Sequence, residues 1–368
     1  MRATDRRRLR RGRLAAQGLH PALGTAAGPA TALSVVQRLG ALQAQDYGSG
    51  AWSLGVRAGI TRAQVEQAVH DREIVRTWPM RGTIHWVPAA DARWMCRLLA
   101  APRSTALATR YAQLGITERD IEASGALVET HLQTPVSRPD LLSMLADSGV
   151  DPSGQRAYHL IAHHCMTGLL CQGPLIGRQP SFVLIDAWVP GSLVPSREEG
   201  LAVIVERYLR GHGPVTEKDL AGWLLKPLGL VREALALLGD DVLREELDGV
   251  TWLRHADAEP VPDGLAGVHL LPQWDELLLG YKSRDVVLDP ADADRVVPSR
   301  NMVFRPSLVV DGQVRGVWRR REGRGRAVVD VEAFAPVSKR VRALLDGAAA
   351  AHGHFLGLDV DLRLSVGA

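Results

Sequence analysis

Lysine is nearly missing from this sequence. It occurs only at Lys218, Lys226, Lys282 and Lys339, although lysine and arginine together number 44. The positive charge is therefore carried by arginine, a permanently charged fork suited to carboxylates and phosphates. A GC-rich genome also favours arginine and alanine codons, so the placement of the arginines says more than their number. Asp and Glu number 41, and the resulting net charge of +3 selects no partner by itself. Cysteine is scarce too: Cys96, Cys165 and Cys171 are an odd, irregularly spaced set, which argues against a disulfide framework and suits a reducing compartment. No apolar run is long enough to span a bilayer, and the basic N-terminus lacks the apolar core of a signal peptide. A cytoplasmic protein with no membrane partner is expected. There is also no phosphate-cradling glycine loop, no Ser-His-Asp order and no nucleophile elbow.

What the chain does contain is a core-forming share of apolar residues, 46% of 368, enough for two to four compact units. It also contains a loose internal repeat. Residues 134–145, TPVSRPDLLSML, and 213–224, GPVTEKDLAGWL, both carry Pro-Val, then Ser137 or Thr216, then Asp140 or Asp219. A hydroxyl that accepts from the first helical turn, with a carboxylate near the positive helix end, is a capping-box-like start. After the first start come a turn at Asp151–Gly154, a helix near 155–167, and short strands at Leu169–Cys171 and Phe182–Ile185. Around the second, helices are expected at 197–211, 216–225 and 230–238, with a strand at Val250–Leu253. Helices followed by a hairpin form the winged-helix arrangement. A divergent copy precedes both, with helices at 31–43 and from Thr61, then strands Ile74–Trp78 and Thr83–Val87 about a turn at Pro79–Gly82, and a helix at Ala89–Leu99. From about residue 258 the pattern turns to strands: His269–Leu271, Asp285–Leu288, Val303–Val310 and Ala327–Val331. Asp311-Gly312 is a type I′ hairpin signal. A helix at 338–351 and a strand at Leu358–Leu364 close the chain. The expectation is an α+β fold of three tandem winged-helix units, 1–100, 101–190 and 191–257, followed by a β-rich, barrel-like domain at 258–368.

Repeated winged helices along an extended scaffold imply a nucleic-acid partner. Arginines cluster at the N-terminus (Arg2, Arg6, Arg7, Arg8, Arg10, Arg11, Arg13) and from Arg300 through Arg315 and Arg319-Arg320-Arg321 to Arg324 and Arg326. Each cluster is either a solvated face or a phosphate surface. In the first wing, Arg76, Arg81 and His85 are polar groups on a hairpin whose Trp78 and Trp86 suit a core. His159 and His163 stand one turn apart, as two metal ligands could. No glutamate lies between them and no second ligand pair is well placed, so no metal or other cofactor is expected. Core or DNA-facing roles suit these histidines, with His164 and Cys165, better.

The segment Leu42-Gln43-Ala44-Gln45-Asp46, followed by Tyr47-Gly48-Ser49-Gly50, reads as a helix end running into a glycine-bearing turn. On a continuing helix, residues two apart point about 200° away from each other. On an extended segment Gln43 and Gln45 fall on one face. Ordinary surface glutamines are the other reading.

Four strings occur in an order that resembles a bacterial family: LGALQAQD, RTWPMRGTIHWV, LLPQWDELLLGYKSR and FRPSLVVDGQVRGVWRR. The chain resembles the winged-helix DNA glycosylases of the AlkZ and YcaQ type over nearly its whole length. The resemblance implies tandem winged helices in a C-shaped arrangement, with a C-terminal β-barrel whose hairpin contacts DNA. It also implies a monofunctional glycosylase that excises N7-alkylated purines, including those in interstrand crosslinks. The family motif is Gln-apolar-Gln in one branch and Gln-apolar-Asp in the other. It falls here on Gln43-Ala44-Gln45, which resembles the AlkZ type. Gln43 and Gln45 are then the catalytic residues, with Arg76, Arg81, His85, Arg300, Arg315, Arg319 and Arg320 toward DNA. The expected protein is a monomer associated with the nucleoid. One departure is Met302 after Asn301, where relatives carry glycine. Two other classes compete: a non-enzymatic winged-helix DNA-binding regulator, and a protein that sequesters a DNA-reactive compound.

Overall fold

The capped helix starts form as expected. Ser137 accepts from the Asp140 amide at the head of helix Arg138–Asp147, and Thr216 accepts from the Asp219 amide at the head of Glu217–Leu224. At Thr216 the exchange is reciprocal, since the Asp219 carboxylate takes the Thr216 amide at 2.9 Å. The computed structural model describes residues 1–19, 30–100, 104–192, 194–258, 261, 267–298, 303–323 and 325–367. They group into two compact units, Met1–Val65 with Ala202–Ala368, and Glu66–Leu201.

In the Glu66–Leu201 unit, strands Thr83–Pro88, Ile74–Met80, Leu170–Gln172, Ser181–Leu184 and Val136–Ser137 lie side by side in that order. The first hairpin is tighter than expected. Pro79 and Met80 belong to the strand, and the turn is only Arg81-Gly82, with φ of 57° and 66°. Met80 then pairs with Thr83, across a register shift after Thr77 that absorbs the proline. Helices Ala92–Leu99 and Arg156–Met166 pack on these strands. Trp78 and Trp86 are buried, as the core reading required.

The other unit is built on a five-stranded sheet. Its order is Asp359–Val366, Arg326–Ala333, Gln313–Gly323, Ser307–Val310, Val268–Leu271. The expected barrel does not form: the two outer strands do not pair with each other, and the sheet stays open. The physical reason is the last crossover. Helix Lys339–Leu356 returns the chain so that Asp359–Val366 joins parallel to Arg326–Ala333, and the helix covers one apolar face of the sheet. The opposite face meets the N-terminal helix Ala3–Ala16, where Leu9 and Leu14 share a core with Val309, Val314 and Val317. Asp311 and Gly312 take φ of 50° and 75°, the positive pair a type I′ turn needs.

Three further differences from the sequence reading have physical causes. Asp285–Leu288 is a turn, not a strand; its Val286, Val287 and Leu288 are buried in that core, and burial without pairing gives the same apolar run. Val250–His255 has a partner the sequence did not reveal, Val242–Leu247, joined through Asp248-Gly249. The partner's Arg-Glu-Glu centre is exposed and shows no apolar alternation. Tyr47–Ala58 is a helix rather than a glycine-bearing turn. Among the described residues, no helix is long and apolar enough to cross a membrane.

Candidate active site

Helix Ala32–Leu39 stops at Gly40, whose φ of 79° breaks the helical run. The next helix, Tyr47–Ala58, starts on Asp46, which accepts the Ser49 amide at 2.7 Å. The Gln-Ala-Gln motif therefore lies on extended chain between two helices, with Leu42–Gln43 forming a short strand. Leu42 and Ala44 are fully buried, Gln43 is 8% exposed and Gln45 is exposed. The Gln43 Oε1 accepts the backbone N–H of Gln45 at 3.3 Å. This bond ties the Gln43 side-chain amide to the backbone at Gln45. Asp46, the adjacent carboxylate, is occupied as a helix cap.

The motif helix is anchored by its far side. Trp52 is buried and donates its indole N–H to the Leu270 carbonyl at 2.7 Å. Its ring lies 4.5 Å from His352 and 5.1 Å from Phe355, both on helix Lys339–Leu356. Gly55 makes this approach possible, because a Cβ there would sit 2.4 Å from the Phe355 ring. Arg57, one turn after Ser53, forms a buried two-pronged pair with Asp275, at 2.7 and 2.8 Å. Ser53 and the Leu277 amide complete the Asp275 carboxylate. The string LLPQWDELLLGYKSR thus supports the site from beneath. Its Glu276 is also buried and takes the Trp223 indole at 3.0 Å.

Three arginines of the basic hairpin, together with Arg62 of helix Arg62–His70, meet two carboxylates. Arg319 and Arg321 share Asp330 on one face of the strand. On the other face Arg320 meets Glu322 at 2.9 Å, and the same oxygen is 3.9 Å from Arg62. Arg320 also lies 3.4 Å from the Nε2 of buried His352. Burial, then the two arginines, push the His352 pKa down to about 3, so its ring is neutral. Burial lowers the Arg320 pKa, and Asp46 is among the charges opposing that shift. Arg62, Glu322 and His352 were not singled out from the sequence, because they come from three separate stretches.

The remaining expected residues divide. Arg315 is exposed on the sheet. Arg300, with Asn301 and Met302, and Arg324 lie outside the described residues. In the Glu66–Leu201 unit, Arg76 is buried with its guanidinium 5.7 Å from the Trp86 ring. Arg81 is half-buried in the turn and 2.8 Å from the Nε2 of fully buried His85. The His85 Nδ1 faces the Thr83 carbonyl at 2.9 Å, so Nδ1 donates and Nε2 accepts from Arg81. His85 therefore holds Arg81 in place. His163 meets the Tyr111 hydroxyl and His164 the Ser124 hydroxyl, so both rings serve the packing of this unit.

The N-terminal arginine cluster divides between an exposed, ion-paired part (Arg2, Arg7, Arg8) and a buried part (Arg11, Arg13). Arg7 pairs with Asp311 and Arg8 with Glu245, while Arg10 donates to Gln313. Arg13 is fully buried, 3.7 Å over the Tyr281 ring, and donates to the Pro214 carbonyl.

An extended amide pair beside a cationic hairpin suits a site that orients a small nucleophile near a polyanion. A model of the AlkZ-like DNA glycosylases matches residues 36–355. The chain belongs to the AlkZ-like DNA glycosylase family, enzymes that act on N-glycosyl bonds. The regulator and sequestration readings give way to this. It is similar to the interstrand DNA cross-link repair glycosylase of Streptomyces sahachiroi, 27% identical over 306 residues, which is 78% of this chain and 82% of that protein. The solved structure of Streptomyces sahachiroi DNA glycosylase AlkZ shares the fold, with a TM-score of 0.80 over 100% of both chains at 22% identity.

Proposed function

We propose that this glycosylase excises N7-alkylated purines from double-stranded DNA, including purines joined in interstrand crosslinks, using water oriented by Gln43 and Gln45. The observation that carries this reading is the extended Gln43-Ala44-Gln45 segment, with the first amide tied to the backbone of the second. Alkylation at N7 makes the purine cationic, so the glycosidic bond is already weakened and the base needs no acid to leave. What remains is to place water against C1′ and to stabilise an oxocarbenium-like sugar. A glutamine accepts through its oxygen and donates through its nitrogen, which fixes orientation without strong basicity. Two amides also form no amine adduct with the sugar, which makes the enzyme monofunctional. The name of the Streptomyces relative supports a crosslinked substrate here as well.

In this reading the segments 1–100, 101–190 and 191–257 are winged-helix units, and the protein acts as a monomer at the nucleoid. Arg81, Arg315, Arg319 and Arg320 face the phosphates, while buried Arg76 supports the first hairpin from within and His85 acts through Arg81. The test is release of free base from N7-methylated and crosslinked duplexes under single-turnover conditions. Gln45→Ala should slow release by about 100-fold or more while duplex affinity stays near that of the wild type. Unchanged release by this variant would remove the glutamines from the mechanism.

A further inference from the structure

Two carboxylates of the basic hairpin, Asp330 and Glu322, each serve two arginines. On the strand Gln313–Gly323, side chains alternate, so Trp318, Arg320 and Glu322 share the face covered by helix Lys339–Leu356. A single oxygen of Glu322 serves both Arg320 and Arg62. Two guanidinium groups thus share one carboxylate at ion-pair distance, with Asp46 acting on Arg320 from farther off. Arg320 is only 28% exposed and is backed by His352, a neutral acceptor that cannot repel it. Arg62 is 35% exposed, and its guanidinium lies 5.8 Å from the Phe355 ring. Glu322, at 43% exposed, is the least buried member. The cations are fixed from behind, and the anion faces the solvent.

We propose that Arg62 and Arg320 form a binding site for one backbone phosphodiester of DNA, closed in the free protein by the Glu322 carboxylate, which the phosphate displaces. Carboxylate and phosphodiester present the same forked pair of acceptors to guanidinium groups. A partly exposed ion pair is weak, so the exchange costs little, whereas a polyanion gains counterion release on binding. The inference rests on the reading that this chain works on duplex DNA, but it needs no base release.

The experiment measures duplex affinity of the full chain against salt, using undamaged DNA as the probe. Glu322→Gln should tighten binding by about three- to tenfold and steepen the salt slope by about one. Asp361→Asn serves as the control. That residue pairs with Arg326 on the neighbouring strand and is 46% exposed, so the charge change is the same. Arg62→Gln added to Glu322→Gln should erase the gain. Equal gains from the Glu322 and Asp361 variants would reduce the effect to general charge and overturn the site. So would a gain that survives loss of Arg62. Should the Glu322 variant melt early, Arg62→Gln alone decides: it must weaken duplex binding and flatten the slope, and unchanged binding overturns the site. Tightened binding without release of N7-methylguanine by any form would uphold the phosphate site while rejecting the catalytic reading.

Discussion

Buried ionic groups in this chain stand or fall by how completely they are paired. Asp275 receives both prongs of Arg57, the Ser53 hydroxyl and the Leu277 amide, so its carboxylate is saturated at almost no exposure. Asp275→Ala strands a buried guanidinium, and the expected loss is about 3–5 kcal/mol by denaturant titration. A loss under about 1 kcal/mol would mean that water reaches Arg57. His164 makes the complementary case. Burial, reinforced by His163, pushes its pKa down to about 4 from the ordinary value of 6.5. Between these values the unfolded chain binds the proton and the folded chain does not. Its stabilising contribution is therefore full above pH 6.5 and declines as the pH falls toward 4. The denaturation midpoint should drop from pH 7 to pH 5, and His164→Gln should show a smaller drop. An identical pH profile for the two proteins would assign the acid sensitivity elsewhere.

At the level of elements, the motif helix depends on one missing Cβ. Gly55→Ala places an atom 2.4 Å from the Phe355 ring, so either helix Lys339–Leu356 or helix Tyr47–Ala58 must shift. We expect a loss of about 1–3 kcal/mol together with reduced base release, since the glutamines precede this helix directly. Full activity with lowered melting temperature would show that the helix can move without disturbing the motif. The same position explains what the sequence could and could not disclose. Capped starts at Ser137 and Thr216 and the turn at Asp311-Gly312 were legible because their causes lie within four residues. Asp248-Gly249 carries the same turn signal, but the strand before it is charged and exposed and offers no apolar alternation. Tyr47-Gly48-Ser49-Gly50 looked like a turn because glycine is a poor helix former. Its helix is supported by Trp52 and Phe355, and Phe355 lies at the far end of the chain. The barrel expectation failed for a related reason: the strand pattern was visible, but the parallel return of the last strand was not. Gln43 and Gln45 were legible only through family strings, and Glu322 as a partner of Arg62 was not legible at all.

For the whole molecule, the question is which arginines a polyanion can use. The formal net charge is +3, too small to draw DNA without local excess. In the N-terminal helix, Arg7 and Arg8 meet one carboxylate each, while Arg11 and Arg13 are buried. The hairpin differs, with Arg319 and Arg321 on Asp330 and Arg320 with Arg62 on Glu322. Arg319 is also 75% exposed. Each phosphate contact contributes about 0.9 to the slope of log affinity against log salt on duplex DNA. Replacing Arg319 and Arg320 together by glutamine should therefore flatten that slope by about two. Replacing Arg7 and Arg8 removes the same formal charge yet should change it by less than about one. Both double variants lower net charge equally, so a difference between them isolates placement from total charge. If the two slopes fall together, the hairpin has no special claim on DNA, and its arginines belong to the protein's own surface pairing.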